Sequence, residues 1–221
     1  MAKAKKETVT SEPFRIRGRG SFLRLIEPKP FDGKGDPRWE ATTLCDPADS
    51  LQLESIKLVV KTAASLAQRP DAFGLVPLAL RRIAAQFIPG APAPDPKTKD
   101  DDIEIAFYDG SKKDYDGYDG MFVVPAHNTK LRPAIAGRNG KEVVPGDKQF
   151  PYSGCLLIAS ITLWIQDNQY GKRIGVNLRG VQFVEGEPKY PAFGQGDIAA
   201  EDEFQALEDE GSGDSSDLGF D

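Results

Sequence analysis

The stretch SGCLLIASITLWIQ, residues 153–166, decides the fold because both faces of the strand that it predicts are apolar. Every second residue from Cys155 to Ile165 is apolar, and most of the residues between them are apolar as well. A strand that is covered on both sides shows this near-continuous apolar pattern. We therefore predict a central strand here, followed by a turn at residues 167–172 and a last strand, RIGVNLRGVQFVE, at residues 173–185.

Three further strands are predicted before this pair. FRIRGRGSFLRLIEP, residues 14–28, alternates apolar or glycine residues with arginines, which predicts a strand with a basic face. RWEATTLC, residues 38–45, predicts a second short strand, and the residues between the two, 28–37, are rich in proline, glycine and aspartate and predict a loop. A third strand is predicted around residues 121–124, with LRPAIAG, residues 131–137, extending it past a proline kink.

A helical insert is predicted at about residues 50–87, after the second strand. Asp49 or Ser50 is the candidate N-cap of a first helix, whose apolar residues recur at helical spacing. Pro77 is placed to start a second, shorter helix. Residues 89–100, rich in proline and charge, predict an extended connector.

This order of elements predicts a mostly β fold with a helical insert. A small Greek-key barrel accommodates about five strands, and the five-stranded OB-fold is the leading candidate. The predicted organisation has three parts: a disordered basic arm at residues 1–13, the OB-fold domain at residues 14–199, and a disordered acidic tail at residues 200–221.

The charge of the chain is unevenly distributed. The 221 residues carry a net charge of −6, yet from Ala200 onward there are nine acidic residues and no lysine or arginine. The preceding 199 residues hold 28 basic and 25 acidic residues, a net charge of +3. The molecule is therefore a mildly basic body with a strongly acidic tail.

Composition argues against several classes of protein. The longest apolar run, CLLIASITLWI, is too short to span a bilayer, and the first residues lack the apolar segment of a secretory signal, so no membrane partner is expected. Cys45 and Cys155 form no paired motif, and we interpret them as reduced core thiols of a cytosolic protein. His127 is the only histidine, which argues against a catalytic triad and a histidine-rich metal site. We predict no cofactor.

Four segments together resemble a phage family of single-stranded-DNA-binding proteins, the Enc34-phage-like family, first catalogued as a domain of unknown function. They are YSGC at 152–155, GVNLRGVQFVEGEP at 175–188, AEDEF at 200–204 and DYDGYDGMFVVPA at 114–126. The similarity extends from about Phe14 to Phe204. It implies an OB-fold, a non-enzymatic role in phage DNA replication, recombination or repair, and a location in the cytoplasm of the infected bacterial host. The proline-rich insert departs from the family pattern.

Basic and aromatic residues are interleaved along the chain, as single-strand binding requires. Such proteins combine cations that follow the phosphates with rings on which bases stack. Alternatives remain open, because the arginine strand could be a solvated face and Phe22, Phe122 and Trp164 could be core residues. The predicted DNA-binding residues are Arg15, Arg17, Arg19, Phe22, Arg24, Trp39, Lys112, Lys113, Tyr115, Tyr118, Phe122, Lys130, Arg132, Tyr170, Lys172 and Arg173.

The acidic tail predicts a second function. A tethered polyanion competes with DNA for a cationic groove, and once displaced it is free to recruit replication or recombination proteins such as a polymerase, helicase or primase. Bacterial and phage single-strand binders often end in acids and an aromatic residue, and this tail is similar. The alternative is a tail that only increases solubility. The predicted partner-binding residues are Asp214, Asp217, Leu218, Phe220 and Asp221.

Two other functions remain as alternatives. Asp109, Asp114, Asp116 and Asp119 could hold a divalent cation in a metal-dependent nuclease, although Tyr118 occupies the third ligand position of an EF-hand loop. A structural or adaptor barrel that binds other proteins is the third class. An exposed strand edge would permit a homodimer, but the sequence carries no interface signature.

Overall fold

The computed structural model of the chain describes residues 9–31 and 33–193. Within these ranges the chain forms two helices, α1 (Ser50–Ala67) and α2 (Leu78–Phe87), and nine strands. The strands are β1 (Val9–Thr10), β2 (Phe14–Phe31), β3 (Lys34–Cys45), β4 (Ile103–Ile105), β5 (Tyr108–Asp109), β6 (Phe122–Asn128), β7 (Ala134–Ala136), β8 (Leu156–Asn168) and β9 (Gly171–Glu185). The prediction of a mostly β fold with helices between the second and third long strands is confirmed.

The five longest strands pair in a continuous circuit. β2 pairs antiparallel with β3, and β3 pairs antiparallel with β6. β6 meets β9 in parallel at one residue pair, His127 and Asn177. β9 pairs antiparallel with β8 along its whole length, and β8 pairs antiparallel with β2. Each of these strands therefore has two neighbours among the other four.

The predicted central strand is β8. It lies between β2 and β9, and its residues Leu157, Ile161 and Leu163 have no solvent exposure. Trp164 is half-buried, and its indole ring covers Gly175, its cross-strand partner in β9. A Cβ atom at position 175 would lie only 2.1 Å from ring atoms of Trp164, so this pair requires glycine. The ring packs across the two strands but is not part of the buried core, so the core interpretation of Trp164 is not confirmed.

The segment predicted as a loop at residues 28–37 instead belongs mostly to a long hairpin. β2 continues to Phe31 and β3 starts at Lys34, so the turn is very short. Pro28 and Pro30 alternate along β2 with Lys29 and Phe31, the residues that pair with β3. The register of β2 with β3 shifts on both sides of Lys29, and irregular pairing of this kind tolerates prolines.

The prediction that the N-terminal arm, residues 1–13, is disordered is wrong for the last part of the arm. Val9 and Thr10 form β1, which pairs antiparallel with β8 opposite Ile165 and Trp164. The Ser11 amide donates to the Leu163 carbonyl at 2.8 Å, and the Leu163 amide donates to Ser11 Oγ at 2.9 Å. These hydrogen bonds satisfy backbone N–H and C=O groups on the edge of β8. Residues 1–8 of the arm lie outside the described residues.

Both helices begin where the sequence predicts. Asp49 caps α1 by accepting from the amides of Leu51 and Gln52 at 2.9 and 3.1 Å, and the hydrogen bond from Gln52 is the main cause that lowers the pKa of the Asp49 carboxyl. α1 packs against β2, whose Arg17 amide donates to Ser55 Oγ at 2.9 Å. Pro77 precedes α2. No described helix has the length and apolar character needed to cross a membrane.

The third long strand differs from its prediction. β6 passes through Pro125 and ends at Asn128, so the proline neither stops nor kinks it out of register with β3. Residues 134–136 form a separate strand, β7, which pairs in parallel with β9 rather than extending β6.

The two cysteines are free thiols, as predicted. Cys45 and Cys155 are completely buried and form no disulfide. Burial raises the pKa of the Cys45 thiol to about 12 and that of the Cys155 thiol to about 11. Neither thiol is therefore a nucleophile at neutral pH, because the thiolate is the reactive form.

Candidate functional site

A cleft of about 740 Å³ lies on the outer face of β3 and β6. Glu40 and Thr42 of β3 and His127 of β6 form part of its floor, while the next residue of β3, Ala41, belongs to the core. One wall comes from β2 and the other from the loop between β5 and β6. The lining residues are Phe22, Arg24, Arg38, Glu40, Thr42, Tyr108, Lys113, Tyr115, Tyr118, Pro125, Ala126 and His127.

A β-bulge in β2 positions the first wall. Ser21 is opposite Thr42 and Arg24 is opposite Glu40, so two residues of β2 oppose one residue of β3 between these pairs. Phe22, the first of the two, has a φ of 49°, a conformation that non-glycine residues rarely adopt. Its ring is 46% exposed at the rim of the cleft. The bulge therefore turns a phenylalanine out of the strand and presents it to solvent.

Three aromatic rings pack together at this rim. Tyr115 lies 5.4 Å from Phe22 and 5.2 Å from Tyr118 between ring centroids, and all the contacts are edge-to-face. Tyr118 is 2% exposed and Tyr115 is 49% exposed. The Tyr118 hydroxyl hydrogen-bonds to Ser21 Oγ at 3.1 Å, and burial raises the pKa of this phenol to about 12. Tyr118 is thus a fixed support, and Phe22 and Tyr115 offer accessible ring surface.

The acidic residues of the loop between β5 and β6 accept hydrogen bonds from nearby protein groups. Asp109 accepts from the Ser111 amide at 3.0 Å and from Gln86 Nε2 at 2.6 Å. Asp119 accepts from Ser111 Oγ at 2.7 Å. Among the described residues, no group of three or more His, Cys, Asp or Glu side chains could hold a metal ion. The acid cluster considered for a nuclease therefore forms no cation site among the described residues, and Asp109 and Asp119 instead accept hydrogen bonds from Gln86 and Ser111.

Charged residues on the floor form a connected set. Glu40 receives Arg24 Nη1 at 3.3 Å on one carboxylate oxygen and Arg38 Nε at 2.9 Å on the other. Burial lowers the pKa of His127, and the positive charge of Arg38 lowers it further against the opposing effect of Glu40. At neutral pH the imidazole is therefore uncharged. The charged residues that line the cleft are three cations, Arg24, Arg38 and Lys113, and one anion, Glu40.

The structure brings five of the predicted DNA-binding residues together in the cleft. They are Phe22, Arg24, Lys113, Tyr115 and Tyr118. Tyr118 is 2% exposed, so its prediction as a base-stacking residue is wrong. Lys112 is exposed in the adjoining 3-10 turn, and Tyr170 is 77% exposed in the turn between β8 and β9. Beside Tyr170, Lys172 is exposed and Arg173 pairs with Glu104 at 2.9 Å. Tyr170, Lys172 and Arg173 therefore form a second group, at the turn between β8 and β9 and outside the cleft lining.

Other predicted residues have structural contacts instead. Arg19 donates to the carbonyls of Gly154 and Pro191 at 2.9 and 3.0 Å, and its guanidinium lies 4.3 Å from the centre of the Phe193 ring. Trp39 Nε1 donates to the Ile26 carbonyl at 3.2 Å within the β2–β3 hairpin. Arg15 is exposed and Arg17 half-buried on β2, and Lys130 and Arg132 are exposed after β6, all outside the cleft lining.

Phe122 requires a correction. Its side chain has no solvent exposure and packs 5.5 Å from Phe87 and 5.6 Å from Phe107 between ring centroids. A buried ring cannot stack on a base, so the prediction of Phe122 as a DNA-binding residue is wrong. The cause is the pleat of β6, which directs Phe122 inward although it follows the exposed Tyr115 closely in sequence.

Four residues that line the cleft were not predicted as site residues: Arg38, Glu40 and Thr42 of β3, and His127 of β6. A signal was present, because Arg38, Glu40 and Thr42 share one parity of a predicted strand and therefore one face. The predicted partner-binding residues 214–221 lie outside the described residues.

One family profile, one curated relative and solved structures are similar to this chain. A family profile described as "Enterobacter phage Enc34, ssDNA-binding protein" matches residues 15–215. A putative protein p50 of Acyrthosiphon pisum secondary endosymbiont phage 1 is 40% identical over 100 residues, which are 45% of this chain. The matched region spans half the length of that curated relative.

Two solved structures share the fold. The single-stranded DNA-binding protein from bacteriophage Enc34 has a TM-score of 0.55 and 21% identity, covering 87% of this chain and 90% of that one. The same protein in complex with ssDNA has a TM-score of 0.56 and 20% identity, covering 79% of this chain and 87% of that one. With a profile that matches nearly the whole chain, the protein belongs to the Enc34 phage ssDNA-binding protein family.

Proposed function

We propose that this chain binds single-stranded DNA, without catalysing a reaction, in the cleft on the outer face of β3 and β6. The observation that carries the proposal is the pair of accessible rings, Phe22 and Tyr115, beside Arg24, Arg38 and Lys113. Rings accept unstacked bases, and the neighbouring cations meet the phosphates between them. Membership of a family of single-stranded-DNA-binding proteins supports the same function.

We also propose that the five long strands form an OB-type barrel. In chain order they are β2, β3, β6, β8 and β9, and they pair in the order first, second, third, fifth, fourth and back to first. In OB-folds the face of strands two and three binds oligonucleotides together with the loops after strands one and four. The cleft lies on the second and third strands, and Tyr170 lies in the loop after the fourth.

The geometry favours a single strand over a duplex. The two accessible rings stand edge-to-face at the rim of the cleft and do not form a flat surface. A base must therefore separate from its neighbouring bases before it can stack on either ring. Bases in a duplex are already stacked and paired, and extracting one costs a few kcal/mol. The cleft therefore recognises bases that are already exposed.

For the acidic tail, which lies outside the described residues, the proposal rests on the sequence alone. Its nine acidic residues, with no basic residue, provide a tethered competitor for a cationic cleft. Once DNA has displaced it, Leu218 and Phe220 are apolar contacts for a replication or recombination protein, with Asp214, Asp217 and Asp221 facing a basic surface. The site of action would be the cytoplasm of an infected bacterium.

Titration of single- and double-stranded oligonucleotides, at two salt concentrations, tests the proposal of single-strand binding and the proposal of competition by the tail. The full chain should bind oligo-dT with a log–log salt slope of about −0.7 per phosphate neutralised, and a duplex of equal length far more weakly. Truncation after Ala199 should strengthen binding severalfold, since the competitor is removed. Phe220→Ala should leave DNA affinity unchanged and weaken capture of a partner.

Two outcomes would contradict these proposals separately. Failure of the truncated protein to bind oligo-dT in dilute buffer would exclude single-strand binding. Equal affinity of the full and truncated chains would exclude competition by the tail while leaving the cleft proposal intact.

A further inference from the structure

Glu40 stands between the two arginines that line the cleft. Its carboxylate oxygens pair separately with Arg24 Nη1 at 3.3 Å and with Arg38 Nε at 2.9 Å. The Glu40 side chain is 13% exposed, against 38% for Arg24 and 25% for Arg38. Water therefore screens the acid less than either base, and its charge acts strongly on whatever enters the cleft.

Strand register places Glu40 at the centre of the floor. Arg24 is its direct partner across β2 and β3, and His127 is its direct partner across β3 and β6. The three side chains thus form a row across three adjacent strands, and all three line the cleft. Because His127 is neutral at neutral pH, Glu40 is the charged residue that opposes the arginines in this row.

We propose that Glu40 is a built-in counter-anion, which weakens the attraction of the cleft for phosphate and so sets the affinity and the salt dependence of single-strand binding. The inference rests on the proposed function. A phosphate that approaches Arg24 and Arg38 meets the repulsion of the carboxylate together with the attraction of the two guanidinium groups. The acid therefore limits how tightly one strand is held.

An alternative role for Glu40 predicts the opposite sign. If the carboxylate served chiefly to orient the guanidinium groups, its loss would disorder them and weaken binding. We favour the counter-anion, because Arg24 and Arg38 are already fixed at their Cα atoms by the pairing of β2 with β3. Their side chains remain partly exposed, so a phosphate can reach both guanidinium groups.

Oligo-dT titration of Glu40→Gln tests the inference. The amide retains the shape and one acceptor oxygen and removes the charge. We expect affinity to rise about fivefold at low salt, as one partly screened unit charge is removed. The salt slope should steepen by about 0.7, equivalent to one more phosphate neutralised.

Two variants serve as matched controls. Glu54→Gln makes the same charge change on the exposed face of α1, outside the cleft lining, and should leave affinity and slope unchanged. Glu40→Asp keeps the charge and shortens the side chain, and should keep the wild-type slope. Thermal unfolding verifies that each variant is folded, and Glu40→Ala is a second neutral variant should Glu40→Gln fail to fold.

The outcomes separate this inference from the proposed function. Wild-type binding together with unchanged or weaker binding by the neutral variants would overturn the counter-anion role alone. Absence of wild-type binding to oligo-dT would overturn both. Equal gains for Glu40→Gln and Glu54→Gln would show a general effect of net charge and would also overturn the role assigned to Glu40.

Discussion

The double variant Phe22→Ala/Tyr115→Ala should lose about 30-fold or more in affinity for oligo-dT, because stacking is worth roughly 1–3 kcal/mol per base and two rings are removed. Both rings are nearly half exposed at the rim of the cleft, so they are available to bases. Their removal leaves the buried ring of Tyr118 and its hydrogen bond to Ser21 in place. Stability should change little, and a fluorescence-anisotropy titration measures the affinity.

Conservative and distant substitutions provide the controls for this result. Tyr115→Phe and Phe22→Trp keep a ring at each position and should retain most of the affinity. Leu131→Ala truncates a side chain that is 71% exposed but does not line the cleft, and should have no effect. A double variant that binds within twofold of the wild type would show that these rings are not the base platform.

Phe122→Ala should have the opposite phenotype. The side chain is completely buried between Phe87 and Phe107, so truncation leaves a cavity in the core. We expect the free energy of unfolding to fall by about 3–5 kcal/mol, with the affinity of the folded protein nearly unchanged. Urea denaturation followed by circular dichroism measures the first quantity, and oligo-dT titration below the transition measures the second.

Phe122→Leu is the matched control, because it retains most of the buried volume and should cost less than Phe122→Ala. Loss of oligo-dT affinity without any shift of the urea midpoint would contradict the core assignment. It would restore the earlier interpretation of Phe122 as a stacking residue. The two phenylalanines, Phe22 and Phe122, thus separate binding from stability.

Periodicity was sufficient to predict the elements with strong local signals. The pattern of residues 153–166, apolar on both faces, predicted β8, and Asp49 predicted the start of α1. Both signals lie within a short run of consecutive residues, so they can be read from the sequence. The extension of β2 and β3 into residues 28–37 was missed, since prolines and glycines suggest a loop wherever the pairing pattern is unknown. β1 was missed because Val9 and Thr10 gain their hydrogen bonds from the distant strand β8.

The candidate site was predictable only in part for the same reason. Phe22 and Tyr115 stood out because rings alternate with cations along the chain. Glu40 and His127 could not be associated, because only the register of β3 with β6 makes them neighbours. The failures at Tyr118 and Phe122 have a similar cause, since sequence proximity to the exposed Tyr115 does not reveal that these two rings are buried.

Zero-length photocrosslinking of oligo-dT to the full chain, followed by mass spectrometry of the crosslinked peptides, tests the cleft most directly. Irradiation joins a base to a ring on which it stacks, so the proposal predicts crosslinks at Phe22 and Tyr115, lost in the double variant. Crosslinks confined to Tyr170 or Trp164, with Phe22 and Tyr115 unmodified at saturating DNA, would contradict the placement of the single strand on the outer face of β3 and β6.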